Sequence, residues 1–589
     1  MTDDFPYSDA QRTLVETPGS LFVEACPGAG KTRAIVGRFL RRVQQEPRKG
    51  IALLSFTNAA VDEAKARSVQ GGATIQSPHF IGTFDSFINR QIVAPIFTTK
   101  HQIPVRFIDS WASVAAAVIR LDGERSAGYS LDYFSFDPNF ASATFVPERI
   151  PFPQRSQALG LPADARALLE QRARTQLHRL AKGDVIQPRC GLMSAEVARN
   201  YATNYLGLPE WKDLIVPVLA ARFAEIIVDE AQDCGPEELA ILTVLKDAGV
   251  AIVMVGDLDQ AIYEFRRSQP DQVRAFASQL PPGRRLDGNY RSTPAICSVV
   301  ASLRSGNAMD EPVGEHGELN TPVSVLPFGR PREVQAAVTA AATALGFTTG
   351  DDVMVLAHKS ADAMKAAGAR TTQAGGGSHR VLRIAANSLV LGNLAATARQ
   401  RLTAVTEIER GLLDIAGCAD DGGGASGLQQ LGATPRWLRD QAHRLALGLS
   451  PEGMETAAYT EALRVRLREI DWPRQVDLKQ LRSPTAQQWR DAMRSAPDPD
   501  ALRFSTIHGA KGLQYPVAAV VLPEELISND DGHTCLDLWE NDLEGEAKRV
   551  LYVATSRAER LLILAVHSSH VERVTAILDR NGVPHTLAS

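Results

Sequence analysis

Residues 20–33, SLFVEACPGAGKTR, restrict the fold of this chain more than any other stretch. Leu21, Phe22 and Val23 make an apolar strand, residues 27–30 a tight turn, and Lys31 opens a helix whose apolar face runs through Ile35, Val36, Phe39 and Leu40. Strand, glycine-rich turn and helix in that order form a phosphate-binding loop: successive backbone N–H groups wrap a phosphate, Lys31 reaches the β- and γ-phosphates, and the Thr32 hydroxyl can ligate Mg²⁺. Ala25 stands where the strict GxxxxGK[ST] pattern has its first glycine. The bland alternative, a chance glycine-rich turn, is weakened by the strand before it and the helix after it.

A second half-site follows where such a fold requires one. Residues 224–234, AEIIVDEAQDC, read as an apolar strand ending in two carboxylates. Asp229 at the strand's end can hold Mg²⁺ through water, and Glu230 can act as general base toward an attacking water. The chain has 589 residues, 44% of them hydrophobic and 22% charged, enough for three or four ordinary domains. No apolar run approaches the roughly 20 residues of a membrane span, and MTDDFPYSDAQ lacks the basic and apolar parts of a secretory signal, so a cytoplasmic protein without membrane partners is expected. The six cysteines include no CxxC pair, and His567 and His570 have no accompanying ligand cluster, so no metal-thiolate or disulfide framework is expected. A net charge of −5 leaves any polyanion track to a local groove of Lys and Arg.

Strand-like runs recur at 51–56 (IALLSF), 224–228, 251–255 (AIVMV), 517–522 (VAAVVL) and 561–566 (LLILAV), with helical patterns between them. That is the signature of parallel sheets with crossover helices. The expected fold is α/β: two parallel-sheet P-loop cores, each with a mainly helical insert. The first core takes 1–100 and 224–285, its insert 101–223; the second core takes 286–360 and 499–589, its insert 361–498. WASVAAAVIRL and ADARALLEQRARTQLHRLAKG are the clearest helical patterns of the first insert.

Nine ordered segments resemble the UvrD/Rep/PcrA branch of superfamily 1 DNA helicases. They are YSDAQ with Gln11, ACPGAGKT, TNAAVDEAKAR at 57–67, GTFDSF at 82–87, DEAQD at 229–233, VGDLDQAIYEFR at 255–266, NYRS at 289–292, STIHGAKGLQY at 505–515 and EAKRVLYVATSRA at 546–558. Each is a modest signal; their joint order is not a chance event. The resemblance implies two RecA-like cores with ATP and Mg²⁺ between them and single-stranded or tailed duplex DNA across them, with 3′ to 5′ polarity.

It also implies roles by position. Gln11 and Tyr290 resemble the adenine-reading and adenine-stacking residues; Pro27, Gly28, Ala29, Gly30, Lys31, Thr32 and Arg33 form the phosphate loop; Gln232 and Gln260 sense the γ-phosphate; Arg291 and Arg557 approach it from the second core. Phe84, Tyr263 and Phe265 resemble base-stacking aromatics, with core packing as the bland alternative for Phe84 and Phe265. Thr57, Asn58, Arg266, Thr506 and His508 resemble backbone contacts of the strand. Arg166, Arg172, Arg174, Arg179 and Lys182 read as a solvated helix face, with contact to duplex DNA from the first insert as the alternative. The sequence departs from the family at Asp85 (usually His), Gln514 (usually Glu) and Ser556 (usually Thr), and the second insert is short. In size and reduced insert the chain resembles helicase subunits of Gabija-type antiphage systems, which implies, as the alternative reading, a sensing ATPase that regulates a partner nuclease.

Overall fold

The computed structural model describes residues 7–46, 48–70, 76–108, 111, 114–121, 128–137, 141–150, 158–182, 190–262, 270–304, 306, 309–347, 352–369, 377–393, 396, 398–418, 431, 433–473, 476, 478, 481–494, 501–528 and 532–588. Two compact units emerge, one of residues 1–100, 198–368 and 500–589, the other of 101–197 and 369–499.

The first unit holds two parallel sheets. One is built from β1 (Leu21–Glu24), β2 (Gly50–Ser55), β3 (Phe80–Thr83), β4 (Phe223–Asp229) and β5 (Ala251–Gly256), in the order β1-β5-β4-β2-β3. Every pairing is parallel. β2 is buried along its whole length and β4 nearly so, as strands covered on both faces must be. Helix Lys31–Gln45 buries Ala34, Ile35, Val36 and Phe39 against this sheet, which is the face its apolar spacing predicts. Arg38 lies on that same face and is fully buried. It meets the Glu225 carboxylate at 2.7 and 2.9 Å and donates to the carbonyls of Leu14, Thr17 and Gly19, tying the phosphate-loop helix to β4 and to the N-terminal segment.

The second sheet comprises β6 (Val323–Phe328), β7 (Val353–Ala357), β8 (Arg503–Thr506), β9 (Tyr515–Leu522), β10 (Ala558–His567) and β11 (His585–Leu587), ordered β8-β7-β9-β10-β6-β11, again parallel throughout. β6, β7, β8, β3 and β11 have no counterpart among the expected strands: β3, β7, β8 and β11 are shorter than β2, β4, β5, β9 and β10, and Pro327 interrupts the apolar run of β6. Residues 281–286 run beside β1, with Phe22 N donating to Pro281 O and Cys26 N to Leu286 O, both at 2.9 Å. Strand order and parallel pairing bear out the α/β, two-core expectation.

Within the second unit, helices Gly377–Gly392, Ala398–Ile415, Pro435–Gly448, Thr456–Arg468 and Ala486–Arg494 share one apolar core, as the patterning of the second insert implies. The first insert corrects the expectation. Among the described residues of 101–197, Ala163–Ala181 forms the anticipated helix, whereas residues 115–120 of WASVAAAVIRL form a short 3₁₀ turn and a strand, Val118–Arg120, paired antiparallel with Gly128–Ser130. β-Branched Val118 and Ile119 favour the pleat, and Gly128 leaves room for Val118, whose Cγ1 would lie 2.5 Å from any Cβ there. Residues 198–223, assigned to the insert by pattern, pack with the first unit as two helices.

Candidate nucleotide-binding and hydrolysis site

After β1 the chain turns through residues 26–30 into the helix that Lys31 opens. Gly28 and Gly30 sit at φ +72° and +67°, backbone that glycine alone adopts without strain. Gly30 caps the helix, so the loop amides and the positive end of the helix dipole converge beside Lys31. Gly28 carries a second constraint: a Cβ there would lie 2.6 Å from Arg291 Cβ and 2.7 Å from Asn289 Oδ1. Its carbonyl accepts from Tyr290 N at 3.0 Å. The phosphate loop and the NYRS turn therefore touch.

β4 ends at Asp229, and Glu230 follows at φ +54°. A left-handed non-glycine residue costs about 1–3 kcal/mol and persists only where the surroundings hold it. Here Lys31 Nζ lies 3.5 Å from Glu230 Oε2, Gln232 Nε2 donates to that oxygen at 2.7 Å, and Glu230 N donates to Asp229 Oδ1 at 2.9 Å. Burial opposes the charge of Glu230, yet Lys31, Lys511 and the Gln232 hydrogen bond outweigh it and hold the carboxyl below its ordinary range. Asp229 moves the other way, raised by burial and then by the adjacent Glu230 charge. A cation beside Asp229 would reverse that shift.

β5 lies between β1 and β4 and leads into Gln260. Gln232 Oε1 accepts from Asp257 N at 3.0 Å, joining the turns after β4 and β5. From the other core, Arg557 donates through Nε to Val553 O (3.0 Å), through Nη1 to Leu513 O (3.1 Å) and through Nη2 to Ser556 Oγ (2.7 Å) and Gln260 Oε1 (3.4 Å). Arg291 Nη1 donates to Ser556 O at 3.1 Å, and Asn289 Oδ1 accepts from the backbone of Arg291 and Ser292. Both guanidiniums thus rest on one backbone cradle. Burial lowers the Arg291 pKa, while burial and then the like charge of Arg291 push Arg557 down to about 9.

Two buried cations so close are unfavourable unless an anion joins them. Arg291 Nε is buried with no partner, and the loop glycines leave a cradle that Cβ atoms would fill. The residues fit a nucleoside triphosphate with a divalent cation. Lys31, the loop amides, Arg291 and Arg557 would hold the phosphates. Thr32 and Asp229, which line one small cavity together with Ser55, would hold the cation. Gln11 and Tyr290 flank Gly30, with Gln11 Nε2 at 2.8 Å and Tyr290 Cδ2 at 4.0 Å from a Cβ built there. Tyr290 is 40% exposed, an open aromatic face for a base. Gln11 bridges Ser8 N and Ala29 O, and Arg33 stacks on Tyr7 at 5.0 Å.

The residues expected on the DNA side are less uniform. Thr57 and Asn58 are exposed just beyond the C-terminal end of β2, where Thr57 Oγ1 accepts from Ala60 N. Thr506 ends β8, and the His508 ring lies 5.5 Å from that of His358. Phe84 is corrected: it opens the helix Phe84–Ile88 directly after β3 on that helix's buried side, 1% exposed with its ring 5.8 Å from Phe56, so core packing is its role here. Tyr263, Phe265 and Arg266 lie outside the described residues. Asp85, whose charge would repel a phosphate, is paired with Arg199 at 2.6 Å. On helix Ala163–Ala181, Arg166 and Arg174 donate to the carbonyls of Leu159 and Ala141, and Arg172 to that of Leu121.

Several contributors escaped residue-level reading. Lys511 Nζ binds both oxygens of Asp233 at 2.7 and 2.9 Å and Gln260 O at 3.1 Å, linking the two cores. Lys511, Asp233, Asp257 and Tyr552 all lie inside the motifs, which were the available signal. Arg304 and Asp310 lie in none.

Among the described residues, no cluster of three His, Cys, Asp or Glu side chains could hold a metal, and no helix is long and apolar enough to cross a membrane. The UvrD/REP helicase N-terminal domain matches residues 7–134 and 199–281. The chain is 28% identical over 308 residues to DNA helicase II of Escherichia coli (strain K12), covering 51% of this chain and 40% of that protein. It is 26% identical over 350 residues to the putative ATP-dependent DNA helicase YjcD of Bacillus subtilis (strain 168), covering 56% and 43%, and 23% identical over 334 residues to ATP-dependent DNA helicase PcrA of Staphylococcus epidermidis, covering 52% and 40%. It spans about two-fifths of the length of these relatives. With the phosphate loop, the paired carboxylates and the two arginines drawn to one cleft, the chain resembles the UvrD/Rep/PcrA branch of superfamily 1, and residues 7–134 and 199–281 carry the match to that family's N-terminal domain.

Proposed function

We propose that this protein hydrolyses ATP with Mg²⁺ in the cleft between its two sheets and couples turnover to movement along single-stranded DNA, 3′ to 5′. One observation carries the reading: Gly28 and Gln260 of the first core are in direct contact with Tyr290 and Arg557 of the second. Residues on two cores meet around one phosphate position, so closure of the cleft and completion of the hydrolytic site are the same event. Glu230 accepts the proton of the attacking water, Lys31 keeps it ionised and in position, and the arginines stabilise charge that develops on the transferred group. ATP with Mg²⁺ supplies the phosphoryl chemistry.

Support for the DNA side comes from the relatives, and from Thr57, Asn58 and Thr506 at the C-terminal ends of strands, where parallel sheets bind their ligands. The test is ATPase activity with and without oligo(dT), followed by unwinding of 3′-tailed and 5′-tailed duplexes. Stimulation by DNA with unwinding of the 3′-tailed duplex alone is the expected result. ATPase without stimulation would remove DNA as the coupled substrate. Stimulated ATPase without unwinding would confine the activity to translocation or sensing. Unwinding from the 5′ tail would reverse the polarity.

A further inference from the structure

Asp257 opens the turn after β5 and is almost wholly buried. Its Oδ2 accepts from Gln260 Nε2 and from Tyr552 OH, each at 2.8 Å, and its Oδ1 accepts from Asp259 N at 3.2 Å. A carboxylate only accepts, so the NH₂ end of the Gln260 amide must face it and the carbonyl end must point away, toward Arg557 Nη2. Asp257 therefore decides which end of Gln260 meets Arg557.

Tyr552 is fully buried on helix Glu546–Thr555, just ahead of Arg557 in the chain. While its hydroxyl donates to Asp257, it accepts from Arg304 Nη2 at 2.9 Å. Arg304 is itself fixed by a two-pronged contact with Asp310 at 2.7 and 3.0 Å, and its Nε lies 3.5 Å from Asp259 Oδ2. Arg285 adds a further contact to Asp310 at 2.6 Å. Arg304, Asp310 and Tyr552 belong to the second core; Asp257, Asp259 and Gln260 belong to the first. A relay of side chains thus crosses the cleft beside the one direct contact between Gln260 and Arg557. Nothing in a hydrolytic site requires buried charges at positions 304 and 310, and a purely apolar contact would close the same gap at lower desolvation cost.

We propose that Tyr552, held by Arg304 and Asp310, is a positioning residue that orients Gln260 through Asp257, so that Gln260 and Arg557 enter the nucleotide cleft as one unit. The inference rests on the proposed ATPase. Without the Tyr552 hydroxyl, Asp257 still accepts from the Gln260 amide but loses the donor that fixes its own position. The amide and its carboxylate then move together, and the carbonyl end meets Arg557 in the closed arrangement less often.

The experiment is steady-state ATPase of the full chain as Tyr552→Phe, which keeps the ring and removes one oxygen. The expected result is a kcat lower by about tenfold or more with KM for ATP changed less than about twofold, since the lost order concerns the transition state and not ground-state binding. Gln260→Ala should also lower kcat, and Tyr552→Phe in that background should lower it no further. A buried hydroxyl that merely supports the fold predicts the opposite, losses that multiply. Should Tyr552→Phe fail to fold by thermal melting, Asp257→Asn provides the same test, because an amide there no longer dictates the orientation of Gln260. Unchanged kcat in the folded variant, or multiplying losses in the double variant, would overturn the inference while leaving an active parent as an ATPase. A parent without ATPase activity would sink the proposed hydrolysis and this inference together.

Discussion

Glu230→Gln should separate nucleotide binding from turnover, and the geometry sets the size of both effects. The carboxylate oxygen of Glu230 lies 3.5 Å from Lys31 Nζ, with the two side chains 28% and 11% exposed. At that separation the Coulomb attraction is ~1.2 kcal/mol in a fully aqueous medium and ~5 kcal/mol at an effective dielectric constant of ~20. A phosphate arriving at Lys31 competes with this carboxylate and is repelled by it. Removing the charge should therefore tighten ATP binding by at least about sevenfold, the aqueous limit. Turnover should fall by ~10²–10⁴, because an amide of the same shape still accepts from Gln232 but takes no proton from water. Equilibrium titration with a fluorescent ATP analogue in Mg²⁺ gives the first quantity, and steady-state ATPase with oligo(dT) the second. Weaker ATP binding would refute the competition between Glu230 and phosphate for Lys31. Turnover within about tenfold of the parent would refute Glu230 as the base.

Arg291→Ala and Arg557→Ala should each lower kcat by at least ~10²-fold, and together by little more than either alone, since Arg291 Nη1 and Arg557 Nη2 both rest on Ser556; additive losses by ATPase assay would show independent roles. Phe84→Ala should destabilise the fold by about 3–5 kcal/mol by denaturant melting, because the ring is buried against Phe56; a folded variant with normal melting and weakened oligo(dT) binding would restore a base-stacking role. Arg38→Met should cost roughly 3–5 kcal/mol, leaving Glu225 with Arg42 as its remaining cation and three carbonyls without their donor; a loss under about 1 kcal/mol in the same melting assay would show the pair to be replaceable.

Local chemistry made much of this protein legible before any fold was known. The phosphate loop needs a strand, left-handed backbone at Gly28 and Gly30 and a helix start at Lys31, all within a few residues, so proximity in sequence is proximity in space. The long buried strands β2, β4, β5, β9 and β10 are apolar runs of the length a doubly covered parallel sheet demands. Periodicity failed where tertiary pairing decided the outcome. Residues 115–120 carry a helix-compatible pattern, and Gly128 across the hairpin turned the choice toward a strand. Motif resemblance proposed a DNA role for Phe84, and its place on the buried side of helix Phe84–Ile88 assigned it to the core.

The closest couplings of the site lay beyond any sequence reading, because they join positions far apart in the chain. Gly28 is glycine for its own dihedral angle and also because Asn289 and Arg291 arrive there from the other core. Arg38 sits on a helical face where pattern expects an apolar residue, and its burial is accounted for by Glu225, 187 positions away, together with the carbonyls of Leu14, Thr17 and Gly19. Tyr552, Arg304 and Asp310 gain meaning from Asp257, which pattern cannot connect to them. Sequence determined which groups could bind phosphate, metal and proton, since that depends on residue type and local backbone. Tertiary structure alone decided which of those groups meet, since hydrogen bonds between two cores depend on distances that no local propensity encodes.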